Sequence, residues 1–411
     1  MSYFANINAA FQDTANLDAF GALRVSQKET LLEFQQVYKL DTRKIEYGAT
    51  GTGVSPTFDS NTRMATLSCT SGSGTCFGQT YEFASYQPGK SHLVEMTFVI
   101  GTAVANAVVD VGYFTDDNGI FFRQNGTSGL EVVRRTKTSG SVVDNTVSQS
   151  SWNLDKLDGT GRSGLTLDIT KAQILLIDLQ YLGMGRVRIG FVINGKVYYC
   201  HEFNNANSLS VPYMQTASLP MQMLITATST ASTKTSSLKC GAVHSEGGLQ
   251  AIQHFHQSTR SVAQTAGSGA RTHVMSIRPK TTFNSITNRK KFIIDAVNVN
   301  VTGSNPVFWE LCTGVTFTGT PSYADINTTY SAFEYDTAGV YSTMGGWVIS
   351  SGYVAASNQS KGSIGANVPI TSPITLDRAG ATRANGTLTL LVTGIGGTSA
   401  MQASINYSEI H

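Results

Sequence analysis

The sequence predicts an all-β fold, an N-terminal arm followed by two β-sandwich domains of jelly-roll or lectin-like type. Three observations carry this. Charged residues make up 14% of the 411 residues, against roughly 25% in ordinary soluble domains. Their place is taken by Gly, Ser, Thr and Asn, with 40 glycines against 9 prolines. Short apolar runs of strand length recur between tight-turn dipeptides.

Residues 1–45 stand apart as an arm. The spacing Ser26-x-x-Glu29 is that of a capping box and predicts a short helix over Thr30–Leu40. A one-sided hydrophobic arm that docks on a neighbour fits the same residues, with Phe20, Leu23, Arg24 and Val25 as its docking side chains.

Residues 46–265 form the first domain. Leu93–Ile100 reads as a strand, and Val108–Phe114, Asp116-Asp117-Asn118-Gly119 and Ile120–Arg123 read as a hairpin. Leu130–Arg134 follows the turn Asn125-Gly126. A second hairpin runs from Gly185 to Phe203 around Asn194-Gly195, with Val197, Tyr199, His201 and Phe203 expected on one face. Ile174–Leu182 is nearly all apolar and reads as a central strand buried on both faces. Pro220–Thr228 adds another strand, and Ala242–Phe255 reads as one strand crossing to the second domain, residues 266–411. There Lys291–Val301 and Met401–Ile410 alternate cleanly, with Val307–Cys312, Gly345–Ser350 and Thr387–Val392 as further strands.

The balance of 29 Lys+Arg against 27 Asp+Glu argues against nucleic acid as a partner. No apolar run reaches the length that spans a membrane, and the N-terminus lacks the pattern of a signal peptide. Five cysteines do not make a disulfide scaffold. Cys69 and Cys76 stand close enough in sequence to bridge a turn, but free thiols are the expectation.

No constellation points to catalysis, and the chain is expected not to be an enzyme. Gly159-Thr-Gly161-Arg-Ser-Gly164 follows no parallel strand and reads as a surface loop. Cys200-His201, Cys240 with His244, and His254-x-His256 lack further ligands at diagnostic spacing, so neither a metal nor another cofactor is expected. Glu95, Asp110, Glu131, Asp178 and Glu202 are scattered and read as unpaired, unlike the paired acids of glycoside hydrolysis. Arg134-Arg135 and Arg186-x-Arg188 are expected to point outwards. Arg271, Arg278, Lys280, Arg289, Lys290 and Lys291 read as a solvated or salt-bridging rim. Asp116, Asp117 and Asn118 are turn formers that double as a candidate ligand-recognition loop.

The phrase Asp18-Ala-Phe-Gly-Ala-Leu-Arg-Val-Ser26, followed by Thr30-Leu31-Leu32, resembles one found near the N-terminus of virion structural proteins of tailed bacteriophages. Four further stretches are similar: Leu157–Asp168, Gln173–Gln180, Gly183–Gly190 and Tyr199–Asn207. Ala22 stands where the family has Arg, so a contact made by that Arg is missing here. The resemblance implies a location in the virion and carries over no catalytic residue. With the low surface charge, it leads to the expectation of a non-enzymatic component of head, neck, tail or fibre. Such a chain would assemble as a homo-oligomer, a trimer, and grip other virion proteins through the arm. The alternatives are a fibre protein that binds a host-surface glycan and, behind it, a polysaccharide depolymerase.

Overall fold

The computed structural model describes residues 17–18, 28–51, 53–70, 72–248, 255–261, 263–356 and 374–410. It is all-β, and the chain divides into two compact units, residues 1–80 with 86–249 and residues 81–85 with 250–411. This division falls some fifteen residues before the boundary expected near 265, because the strands that follow residue 254 pair within the second unit.

The first unit contains β1 (Lys28–Gln35), β2 (Ile45–Gly51), β3 (Val54–Asp59), β4 (Met64–Cys69), β5 (Gly72–Thr80), β6 (Ser91–Val99), β7 (Ala107–Phe114), β8 (Gly119–Asn125), β9 (Leu130–Thr136), β10 (Val143–Ser148), β11 (Gln173–Leu179), β12 (Val187–Ile193), β13 (Lys196–Phe203), β14 (Met221–Thr230) and β15 (Lys234–Glu246). One sheet runs β13-β12-β11-β6-β15-β4-β3, with β1 also on β15. The other runs β10-β9-β8-β7-β14-β5-β2. Every pairing is antiparallel. Alternate residues of both sheets are apolar and buried, among them Val94, Met96, Phe98, Leu175 and Ile177 on one side and Val109, Val111, Phe122 and Met223 on the other. This is the alternation a two-sheet sandwich requires. Phe122 and Phe191 meet edge to face, their ring centres 5.1 Å apart.

The helix expected over Thr30–Leu40 is instead β1. Leu32, Phe34 and Gln36 are buried while Glu33 and Gln35 are exposed, a period of two, and Phe34 pairs with Gly241. A Cβ at Gly241 would collide with the Phe34 ring, so the glycine makes room for it. The unpaired edge of β15 therefore decides the local structure over the capping-box signal.

A lysine also reaches into this interior. Lys234, 1% exposed, donates from Nζ to the carbonyls of Ile100 (2.9 Å) and Thr102 (2.7 Å) and to Gln124 Oε1 (2.7 Å). Burial pulls its ammonium down to about 8. Cys69 and Cys76 are both buried free thiols. The loop holding Gly159 and Gly161 closes on Asp155, whose carboxylate accepts from the backbone N–H groups of Leu157 (2.9 Å) and Ser163 (2.7 Å). A Cβ at Gly161 would overlap that carboxylate.

The second unit contains β16 (Phe255–Arg260), β17 (Gln264–Ala266), β18 (Thr272–Pro279), β19 (Thr282–Phe283), β20 (Ile286–Thr287), β21 (Lys291–Val301), β22 (Val307–Thr313), β23 (Val315–Thr318), β24 (Ala324–Asp325), β25 (Phe333–Asp336), β26 (Val340–Met344), β27 (Val348–Val354), β28 (Leu388–Gly394) and β29 (Ser399–Ile410). A six-stranded sheet runs β24-β25-β18-β28-β22-β27, and β29 is the spine of a four-stranded sheet with β16, β17 and β21. One core holds Val274, Ile277, Phe292, Val299, Trp309, Leu390, Ile405 and Tyr407. Among the described residues, no helix is long and apolar enough to cross a membrane.

Candidate functional site

The outer face of the first unit's eight-stranded sheet carries the most constrained polar cluster. Antiparallel register puts Asp178 of β11 opposite Arg188 of β12. Both side chains are fully buried. Arg188 Nε donates to Asp178 Oδ2 at 3.1 Å, and Nη2 bonds the same oxygen. Tyr199 of β13 donates its hydroxyl to that oxygen at 3.1 Å, and the guanidinium lies 4.4 Å over the Tyr199 ring. Nη2 also donates to the backbone carbonyl of Leu17 at 2.7 Å. Leu17 is 8% exposed. A buried pair of this kind persists only when its remaining donors and acceptors are met, and here the N-terminal segment meets one of them.

Arg188, expected to point outwards, does lie on the sheet's outer face, but it is buried there and paired with Asp178, because that face is itself covered at this place. The available signal was a charge embedded in an apolar run: Asp178 in Ile174–Leu182, and Arg188 between Val187 and Ile189.

The face shared by Val197, Tyr199, His201 and Phe203 is also broken. Gly190 pairs with Tyr199 and Ile189 with His201, so Cys200 is the extra residue of a bulge. Tyr199 turns to Arg188, while His201 turns the other way, its ring 4.7 Å from that of Phe203. Burial pulls the His201 imidazole down to about 4, which keeps it neutral near pH 7.

The candidate recognition loop serves the fold. Asn118, 4% exposed, donates from Nδ2 to Gln215 Oε1 at 3.0 Å and accepts at Oδ1 from the Gln215 backbone N–H at 3.1 Å. Lys137 Nζ sits 3.0 Å from Asp117 Oδ1. Asp116 lies in the same turn, between β7 and β8. The loop is a hairpin end held to two neighbouring segments.

The acids of the seven-stranded sheet's outer face are likewise engaged, by guanidinium and amide side chains. Arg123 grips Asp110 with both arms (2.7 and 3.0 Å) and reaches Asp144 at 3.3 Å, while Arg135 grips Asp144 (2.7 and 2.9 Å). Burial pushes Asp110's carboxyl up. Asp144 is also partly buried, but its two arginines hold it below the usual range. Glu131 accepts from Asn125 at 3.1 Å. Glu95 meets Lys28 (3.4 Å) and His244 (3.3 Å), and Glu202 meets Arg186 (3.5 Å). Arg134 bonds Asn205 on the other side of its strand from Arg135.

In the second unit the six basic residues of the expected rim are engaged internally. Arg271 pairs with Glu310, Arg278 with Glu334, Lys280 with Asp325, Lys290 with Glu409 and Lys291 with Glu82. Arg289 donates to the carbonyls of Asp377 and Arg378. Phe20, Leu23, Arg24 and Val25 lie outside the described residues, as does His254.

No model of a known protein family and no curated protein matches the chain. Among solved structures it is similar to a legume lectin-like domain from Entamoeba histolytica, at 11% identity over 53% of this chain and 98% of that one, with a TM-score of 0.31. It is also similar to a β-glucanase of Bacillus licheniformis (13% identity, 53% and 99%, TM-score 0.33). A β-1,3-glucanase from Mycobacterium marinum is a third (13% identity, 52% and 98%, TM-score 0.33). Likeness at this level says nothing about ligand or reaction.

Proposed function

We propose that this chain is a non-enzymatic structural component of a tailed-bacteriophage virion, assembling as a homo-oligomer and docking to other virion proteins through the phrase Asp18–Ser26. The carrying observation is that both flanks of this phrase are fixed to the first unit. Leu17 is held by Arg188, and β1 begins at Lys28 on the edge of β15. A segment pinned at both ends loses less conformational entropy on docking than a free tail.

The other stretches that resemble the virion family support the same reading. Leu157–Asp168 is the loop closed on Asp155, while Gln173–Gln180, Gly183–Gly190 and Tyr199–Asn207 contain β11, the first half of β12 and the bulged end of β13. Three of them supply Asp178, Arg188 and Tyr199 of the anchor. The non-enzymatic part of the proposal rests on the acids just described: Asp110 and Asp144 have both oxygens engaged by guanidinium groups.

The assembly claim is tested by light scattering on the full chain and on one that begins at Lys28, which keeps β1. A trimer of 43.9 kDa subunits that falls to monomers on truncation is the expected result. A full-length monomer would contradict self-assembly, and an oligomer that survives the cut would contradict the part given to the phrase in it.

A further inference from the structure

The second unit carries a cavity of about 510 Å³ that the proposed function does not use. It opens on the four-stranded sheet, and its polar lining is Arg260, Ser261, Asn298, Asn300, Gln402 and Ser404. Register explains the grouping. Arg260 of β16 and Asn298 of β21 both stand opposite Ser404 of β29, and Asn300 stands opposite Gln402. Their chain neighbours Val297, Val299, Ala403 and Ile405 are buried in the core, so the cavity has a fixed floor. Beyond Arg260 the edge is pinched: Ser261 N–H donates to the Ala403 carbonyl (2.8 Å), and the Ala403 N–H donates to Ser261 Oγ (2.9 Å).

We propose that this cavity binds a carboxylated sugar. Arg260 is exposed at its rim, and no carboxylate stands among the described lining residues. A guanidinium fork matches a carboxylate with two parallel hydrogen bonds. The amides of Asn300 and Gln402 each offer a donor and an acceptor, the pairing that adjacent sugar hydroxyls need. Asn298 Nδ2 already donates to Ser404 Oγ at 3.2 Å, which sets the amide's orientation. With strands about 4.8 Å apart, Arg260 and Asn298 flank Ser404 across about 10 Å, the width of one pyranose with its substituents. The site is independent of the N-terminal anchor and of where the chain sits in a particle.

The test is ligand-observed saturation-transfer NMR on the full chain with glucuronate, glucose and acetate in parallel. Glucuronate binds with a dissociation constant of about 1 mM, and glucose and acetate each bind at least about tenfold more weakly, because each offers half of the recognised chemistry. Arg260→Gln removes the preference for glucuronate over glucose. Asn300→Asp, which places a negative charge at the rim, weakens glucuronate and spares glucose. Both positions are exposed, and a melting curve verifies each fold; should Arg260→Gln fail to fold, Asn300→Asp decides. Absence of glucuronate binding, equal binding of glucuronate and glucose, acetate matching glucuronate, or a glucuronate response unchanged in the variants each overturns the proposal.

Discussion

Replacing Arg188 with methionine keeps a long side chain and removes one charge from a pair that is wholly buried. Asp178 would keep the Tyr199 hydroxyl and lose its guanidinium bonds, and the Leu17 carbonyl would lose its 2.7 Å donor. Breaking one side of a buried pair costs ~3–5 kcal/mol. An orphaned carbonyl adds ~1 kcal/mol. The first unit should therefore lose ~4–6 kcal/mol, and at ~2–4 °C per kcal/mol its melting transition should fall by ~10–20 °C. The double variant Asp178→Leu/Arg188→Met removes both charges and leaves the Tyr199 hydroxyl and the Leu17 carbonyl wanting partners, so it should cost only ~1–2 kcal/mol. Calorimetry separates the two units' transitions. Trp152 reports on the first in urea titration, while Trp309 and Trp347 lie in the second. A single variant that costs under ~1 kcal/mol, or a double variant no better than the single, would refute the claim that this pair is a buried anchor.

Lys234 titrates at about 8 when folded against 10.5 in the reference state, so between those values only the unfolded chain holds the proton and stability rises with pH. The gain reaches ~3 kcal/mol across that window; the buried thiols of Cys76, Cys200 and Cys312, which burial pushes up, oppose it equally in both chains, so urea midpoints from pH 7.5 to 9.5 should shift in the native chain's favour relative to Lys234→Met as pH rises. His201, at about 4 when folded against 6.5, gives the same slope in acid. Stability falls by ~3 kcal/mol as pH drops from 6.5 to 4, because the unfolded chain takes up a proton the folded one refuses. His201→Gln should flatten that slope, which pH-dependent melting curves read directly.

The strands were legible where one face is buried and a turn dipeptide closes them. Asn194 (φ 52°) and Gly195 (φ 73°) take the two left-handed positions that a primed turn between β12 and β13 demands. The alternation in Lys291–Val301 and Met401–Ile410 became β21 and β29, paired along nearly their whole length. What could not be read was the outcome of competition between local and distant contacts. Ser26-x-x-Glu29 favours a helix locally, but the free edge of β15 and the gap at Gly241 take the segment as a strand. The Cys200 bulge shifts the side-chain period by one residue with no compositional mark, so His201 and Tyr199 part company. The anchor was half legible: Asp178 and Arg188 each stand out as a charge in an apolar strand, but their pairing needs the register of β11 on β12, and nothing marks Leu17 as its third member. The Arg260 cavity joins residues 260, 298 and 404, which only the sheet brings together.

The most direct test of the structural role is mass spectrometry of density-banded particles of a tailed phage whose genome encodes this chain. The account predicts peptides from both units, such as those spanning Val187–Ile193 and Lys291–Val301, at multi-copy stoichiometry relative to the other particle proteins. Their absence from banded particles, with the chain abundant in the infected lysate, would contradict it.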